Sequence, residues 1–387
     1  MGLPCIIHKT RIFLLFLVLI ISAMLWSLLT HISFHRRPSN FHFRQPVDLV
    51  QSPKERDCST GESCQGSGTA MKTVLLWTTF FSEKNYLPST DKMQCAERRC
   101  LLTSDRRVLN QSDALVFHWA DHLFNDIPTT RLSHQRWILF VLESPHNTGS
   151  LSHFNRLINW TATYRLDSDI VTPYGHVQKT INRSATLEPV PRDHASNKTK
   201  MVVWFVSNCE TVSNREGYVS ELKQHVAVDI YGLCGRESCK PRMSKACYND
   251  VAKEYRFYLS FENSICQDYV TEKFFHILQT DMVPVVFGGG NYSTLAPPKS
   301  FINALEFASP KHLADYLIYL SRNATDYNSY FWWKQTHAMG GYHWVCELCR
   351  KLHDPTEGPS SYKDIDKWWK TQASCKSWNK AKGLLSV

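Results

Sequence analysis

No run of five or six like charges occurs in this chain, although its 44 Lys and Arg outnumber its 35 Asp and Glu to give a formal charge of +9. Dispersed basic residues describe a solvated surface rather than a stripe that tracks a nucleic-acid backbone, so nucleic acid is excluded as a partner. A basic pocket for a small phosphate ligand remains compatible. Internal repeats and low-complexity tracts are also missing, which removes solenoids and arrays. Past residue 29 no segment is long and apolar enough to cross a membrane. Nor does a Gly-x-Gly-x-x-Gly stand between a strand and a helix. Gly288-Gly289-Gly290 lacks that setting and reads as a turn at a strand end.

What is plentiful is cysteine: 13 among 387 residues, beside six Asn-x-Ser/Thr sequons at Asn110, Asn159, Asn182, Asn197, Asn291 and Asn323. Together they predict a lumenal, oxidising compartment. Residues 12–29 form one uncharged apolar run behind Lys9 and Arg11, long enough for a membrane helix and lacking small residues for cleavage. The run predicts a single-pass signal anchor with a cytoplasmic tail at 1–11, followed by a Pro- and Ser-containing stem at 30–70.

Ordered sequence begins at Lys72. Short β-branched and aromatic runs predict strands at Lys72 onward (TVLLWTTFF), Ala114–His118, Trp137–Leu142, Met201–Val206, Ala227–Tyr231, Phe257–Phe261 and Val283–Phe287. Helical patterns at Arg215–His225, Thr271–Gln279 and Pro310–Leu320 alternate with them. The alternation predicts an α/β fold with parallel sheets. The polar stretch 182–200 marks a boundary between two doubly wound, Rossmann-like domains facing a cleft, at 71–190 and 191–345, with a C-terminal segment at 346–387.

The segment Tyr255–Phe275, YRFYLSFENSICQDYVTEKFF, carries the most chemistry. A strand ends at Glu262-Asn263, and Thr271 is placed to cap a helix whose first turn holds Glu272 and Lys273. A lysine there opposes the helix dipole unless an anion is bound, and a diphosphate at the helix N-terminus would resolve the conflict. Carboxylates at Glu262 and Glu272 suit sugar hydroxyls. A capped helix with solvated charges explains the same pattern.

At this point the chain resembles the α1,3-fucosyltransferase family, glycosyltransferase family 10. FYLSFENS-x-C-x-DY-x-TEKFF followed by VPVVFG (Val283–Gly288) is similar to that family's signature. WILFVLESP (Trp137–Pro145), TYRLDSDIVTPYG (Thr163–Gly175) and WFVSNCETVSNREGYVSEL (Trp204–Leu222) resemble its other blocks in order, across about Lys72 to Leu352. The resemblance implies a GT-B architecture, a type II Golgi membrane protein, GDP-fucose as donor, a glycoprotein glycan as acceptor, inversion at the anomeric carbon and no required cofactor. It implies Glu143 as general base, and Arg215 and Lys273 on the diphosphate. Glu272 would hold donor hydroxyls, with Glu262, Asn263 and Tyr269 lining the same pocket, and His118 and Trp119 would face the acceptor. His118-Trp119-Ala120-Asp121 departs from the His-His of vertebrate Lewis-type members. The Cys-rich insert Tyr231–Cys247 is similar to invertebrate core-type members, which makes the innermost GlcNAc the first acceptor expectation and antennal GlcNAc the second.

Asp167-Ser168-Asp169 spells a metal-binding Asp-x-Asp, yet it lies far in sequence from the donor segment and is expected to be structural; no metal site is predicted. Cys346-x-x-Cys349 and Cys234-x₄-Cys239 have spacings that zinc could use, but the sequons and the anchor favour disulfides. By the resemblance, Cys346 and Cys349 bridge to Cys95 and Cys100, while Cys209, Cys234, Cys239, Cys247 and Cys266 are expected to hold further bridges in the donor domain. A catalytically silent glycan- or GDP-binding relative is the competing class. Competent residues at 143, 215 and 273 argue against it.

Overall fold

The computed structural model describes residues 70–121, 126–180, 192–235 and 244–387. The tail, the apolar span 12–29, the stem through residue 69 and the sequon at Asn182 lie outside the described residues. No helix among the described residues is long and apolar enough to cross a membrane.

Six strands build a first parallel sheet: β1 (Lys72–Leu76), β2 (Cys100–Thr103), β3 (Ala114–His118), β4 (Arg136–Val141), β5 (Trp160–Thr163) and β6 (Ile170–Val171), ordered β2-β1-β3-β4-β5-β6. After β7 (His176–Lys179), a second parallel sheet follows from β8 (Lys200–Phe205), β9 (Val228–Tyr231), β10 (Tyr255–Phe261), β11 (Val283–Phe287) and β12 (Ile302–Asn303), ordered β12-β11-β10-β8-β9. Counted from its own first strand, each sheet reads 2-1-3-4-5, with β6 added to the first. The order reverses between β1 and β3 in one sheet and between β8 and β10 in the other, and ligands of open α/β sheets bind beyond the strand ends at such reversals.

Helices follow the strands: α1 (Pro145–Thr148), α2 (Arg215–Leu222), α3 (Lys245–Ala252), α4 (Glu272–Leu278), α5 (Tyr292–Leu295), α6 (Pro310–Arg322), α7 (Ala324–Ser329), α8 (Trp344–His353) and α9 (Ile365–Thr371). They cover both faces of the sheets, which is why β3 and β11 are buried at every position and read as unbroken apolar runs. Local signals start the helices. Asn214 accepts from the Gly217 amide ahead of α2, and Ser309 accepts from the His312 amide while Pro310 opens α6. Two short elements complete the chain: β13 (His337–Gly340) pairs antiparallel with β7, and β14 (Lys376–Asn379) forms a hairpin with β15 (Gly383–Ser386).

Disulfides join Cys95 to Cys346 and Cys100 to Cys349, fixing α8 against the first sheet. Each closes a loop of about 250 residues, and such closures contribute roughly 2–4 kcal/mol. With their sulfurs bonded to each other, these cysteines offer no thiolate to zinc. Cys209 pairs with Cys234 inside the second sheet's domain. Cys266 departs from the sequence expectation: it bonds Cys375 in the C-terminal segment, because β14 lies beside residue 265.

The sequon at Asn159 is corrected too. Asn159 is 7% exposed; its Oδ1 accepts from the Trp137 amide and from Arg131, and its Nδ2 donates to the Ser360 carbonyl at 2.6 Å. An amide nitrogen so engaged is closed to a glycosyl donor. Asn110, Asn197 and Asn291 are exposed, whereas Asn323 is half-buried and caps α7.

Candidate functional site

The end of β10 feeds directly into a cluster of charged side chains. Glu262, the first residue past the strand, is fully buried and accepts hydrogen bonds from the Thr271 amide at 2.8 Å and from the Thr271 hydroxyl at 2.9 and 3.0 Å. Thr271 caps α4 as the sequence predicts. A carboxylate of the chain itself thus lies against the residue that caps α4. Lys273 Nζ lies 2.8 Å from Thr271 Oγ1, 3.1 Å from Glu272 Oε1 and 3.4 Å from Glu262 Oε2. Its unfavourable place near the helix start is offset by these two carboxylates.

Electrostatics follow from that packing. Burial pushes the Glu262 carboxyl up, and Lys273 only partly opposes it. Burial acts the same way on Glu272, but the Lys273 charge and hydrogen bond outweigh it and hold the group below the usual range. Burial favours a neutral Lys273, yet Glu262 and Glu272 raise it, so the ammonium stays charged. Lys273 is the most exposed of the three, with 26% of its side chain open.

Arg215 opens α2, beyond the adjacent end of β8, and its positive charge acts on Lys273. It is 3% exposed. Its guanidinium donates to the Phe261 carbonyl at 2.7 Å and the Asn208 carbonyl at 3.0 Å, and pairs with Glu216 at 3.1 Å. Its donors thus brace the end of β10 and the carbonyl of Asn208. Glu262 and Tyr269 are likewise not lining an open surface. Tyr269 is 1% exposed and packs on Tyr164, ring centroids 4.9 Å apart.

Across from this cluster, Glu143 follows β4, half-buried, with Asn147 Nδ2 3.3 Å from its Oε2. Tyr174 fixes the strand end from behind, its hydroxyl donating to the Leu142 carbonyl at 2.6 Å. The charges of Glu143, Glu262 and Glu272 all act on the buried hydroxyls of Tyr174 and Tyr269, which places the three carboxylates around the same pair of rings. Ser144 and Ser264 join the two strand ends by a buried hydrogen bond. Sequence reasoning missed Tyr174, Ser144 and Ser264, although both serines sit next to residues it chose.

Three buried polar atoms near these ends lack a hydrogen-bond partner among the described residues: Asn263 Oδ1, Tyr164 Oη and Tyr292 Oη. Buried polar atoms in native structures are normally satisfied, so a hydroxyl-rich ligand or water has acceptors and donors waiting. Tyr292 Oη would lie 2.4 Å from a Cβ added to Gly288, and a Cβ on Gly289 would strike the Cys266 carbonyl at 2.2 Å. The glycine triplet is needed for close packing against the 262–270 loop.

The acceptor expectation fares differently. His118 is 3% exposed, its ring set among Phe80, Phe81 and Phe140 and its Nδ1 2.7 Å from Asp121 Oδ2. It is a buried residue of β3, while Trp119 is partly buried against the apolar cluster that holds Leu115, Phe117 and Leu139. The Asp-x-Asp carboxylates are also committed: Asp167 pairs with buried Arg165 at 2.6 Å, and Asp169 accepts from Thr161 and Tyr362.

Comparison with known proteins gives two matching family models, "Fucosyltransferase, N-terminal" over residues 69–175 and "Glycosyltransferase family 10 (fucosyltransferase) C-term" over 195–368. The chain is 37% identical over 331 residues to an Alpha-(1,3)-fucosyltransferase C of Drosophila melanogaster, covering 77% of each. It is 37% identical to the same organism's Glycoprotein 3-alpha-L-fucosyltransferase A, covering 84% of this chain and 66% of that one. A human 4-galactosyl-N-acetylglucosaminide 3-alpha-L-fucosyltransferase, FUT5, is 38% identical over 72% of this chain and 75% of its own. A solved α1,3-fucosyltransferase with GDP-fucose is a distant likeness, 14% identical with a TM-score of 0.48, covering 78% of this chain and 96% of that one.

Proposed function

Since the chain belongs to glycosyltransferase family 10, the fucosyltransferases, we propose that it transfers L-fucose from GDP-fucose to O3 of a GlcNAc on glycoprotein N-glycans, with inversion. The observation that carries the reading is the partly open Lys273 ammonium in the first turn of α4, beside Glu262 just past β10, with the chain after β10 tied to the Glu143 strand end by the Ser144–Ser264 bond. Lys273 takes the diphosphate, and Arg215 adds positive charge from behind it. Glu272 and Asn263 hold donor hydroxyls once the cluster opens to ligand.

The chemistry is one in-line displacement. Glu143 removes the proton from the acceptor hydroxyl as its oxygen bonds the fucose anomeric carbon. The bond from that carbon to the β-phosphate oxygen breaks, and the negative charge arriving on GDP is met by Lys273 and the field of Arg215. In this reading the catalytic body is GT-B and lumenal, held at the Golgi membrane by the span 12–29. Disulfides among the described residues support an oxidising compartment.

The innermost GlcNAc is the preferred acceptor in this reading, supported by the Cys-rich insert 231–247, one arm of which is the Cys209–Cys234 bond. The test is incubation of the full-length protein with GDP-fucose and a panel of core and antennal acceptors, with linkage analysis of products. Transfer to O3 of core GlcNAc is expected. Exclusive antennal transfer rejects the acceptor assignment, and no transfer to any GlcNAc acceptor by folded protein rejects the activity.

A further inference from the structure

By the resemblance, Cys346 and Cys349 are expected to tie the C-terminal segment to the first domain. After α8, however, it runs between the two halves of the site. Asp366 accepts from the Leu151 amide at 2.5 Å, and the Ile365 amide donates to Asn155, fixing the start of α9 on the first sheet's side. Trp369, 0% exposed, donates from Nε1 to Thr148 Oγ1 at 2.8 Å. Thr148 ends α1, the helix that begins directly after Glu143-Ser144. The Trp369 ring also packs on Tyr164 at 5.6 Å, and Tyr164 packs on Tyr269 of the donor-side loop.

Beyond α9 the chain crosses over. The Gln267 amide donates to the Ala373 carbonyl at 2.7 Å, Cys375 bonds Cys266, and the Lys376 amide donates to the Ile265 carbonyl at 2.8 Å. Further on, the Trp378 amide donates to the Ser213 carbonyl, and Asn214 Nδ2 donates to the Trp378 carbonyl, both just ahead of Arg215. One apolar cluster consequently holds Leu139 and Val141 of β4, Cys266 and Tyr269 of the donor-side loop, and Ile365, Trp369 and Ala373.

We propose that residues 365–378 form a strap that sets the separation of the Glu143 strand end from the 264–270 loop, with Trp369 the positioning residue on the base side and Cys375 on the donor side. Buried Arg165 locks the strap's middle by donating to the Trp368 and Trp369 carbonyls. A base held by this strap reaches the acceptor hydroxyl only while the Trp369–Thr148 bond fixes the pitch of α1. A donor loop held by it keeps its ligand only while Cys375 anchors residue 266. The inference rests on the assignment of Glu143 as base, and it separates two kinetic quantities that a general loss of packing would move together.

In the full-length protein, Trp369→Phe keeps an aromatic ring, though a smaller one, and removes the N–H. Turnover is expected to fall about tenfold with GDP affinity, read by calorimetry, within twofold of the parent. Thr148→Val is expected to give the same loss, Thr148→Ser to retain parental turnover, and the Trp369→Phe/Thr148→Val pair to be no worse than either single change. Cys266→Ala/Cys375→Ala is expected to raise the donor KM about tenfold and to speed amide exchange over residues 265–270. Unchanged turnover in Thr148→Val, additive losses in the pair, or unaltered exchange in the cysteine variant each overturn the strap. The Thr148 series decides the matter if Trp369→Phe does not fold. Exchange is read without substrate, so a failed base assignment, seen as normal turnover in Glu143→Gln, is distinguishable from a failed strap.

Discussion

Ser144 Oγ lies 2.7 Å from Ser264 Oγ, both side chains fully buried, one following β4 and the other following β10. The bond links residues 120 positions apart and fastens the neighbour of Glu143 to the second neighbour of Glu262. Removing either hydroxyl leaves the other without its partner, at about 1–3 kcal/mol. Ser144→Ala and Ser264→Ala are expected to destabilise by that amount singly, and the double variant by less than the sum, as read from urea unfolding midpoints. Strict additivity would mean that the two hydroxyls do not depend on each other.

Glu143→Gln keeps the shape of the side chain and removes the proton acceptor. Turnover is expected to drop roughly a hundredfold or more, the range of general-base catalysis, while GDP binding by calorimetry is retained. Near-normal turnover would take Glu143 out of that role.

Lys273→Ala should do two things at once. GDP affinity falls because the partly open ammonium is lost, and the fold is weakened because Glu262 keeps a buried carboxyl without its cation. Removing one partner of a buried pair costs about 3–5 kcal/mol. Adding Glu262→Gln to Lys273→Ala is expected to recover stability but not GDP affinity, a split measurable by thermal melting beside calorimetry.

Asp121 supplies a dependence on acid. Burial pushes its carboxyl up, but its bond to His118 and the amides of Phe81 and Ser82 outweigh that and hold it down to about 2. A carboxyl lowered in the folded state stabilises fully above its unfolded value near 3.8, and that contribution is lost as pH falls through about 2. The stability difference between the parent and Asp121→Asn is expected to be constant above pH 5 and to shrink steadily below pH 4. A difference that grows on acidification would contradict the bond network.

Sequon occupancy follows burial. Peptide mass spectrometry of protein from a secretory host is expected to find glycan on Asn110, Asn197 and Asn291 and none on Asn159, whose Nδ2 is committed to the Ser360 carbonyl. A glycan on Asn159 would require that corner of the first sheet to open before folding is complete.

Strand runs such as ALVFH and VPVVF were legible at both ends, because a strand covered on both faces has to be apolar throughout. Strand β5 was not identified: its Thr161 and Thr163 are buried by virtue of bonds to Asp169 and Ser168, a polar arrangement with no periodic signature. Helices α3, α8 and α9 were likewise missed; their buried residues pack against strands and loops distant in sequence. At the site, Thr271 as cap and Lys273 beside it could be read from local chemistry alone.

By itself the sequence determined the alternation of strands and helices, the family blocks, and the candidate residue types of the site, since each can be read within a few positions. Only the tertiary structure decided that Glu262 is buried against the cap of α4, that His118 is a core ring, and that Cys266 pairs with Cys375. Those outcomes depend on which buried groups meet across more than a hundred residues or on how deeply a loop is covered. Burial is set by the packing of the whole chain, and no local spacing encodes it.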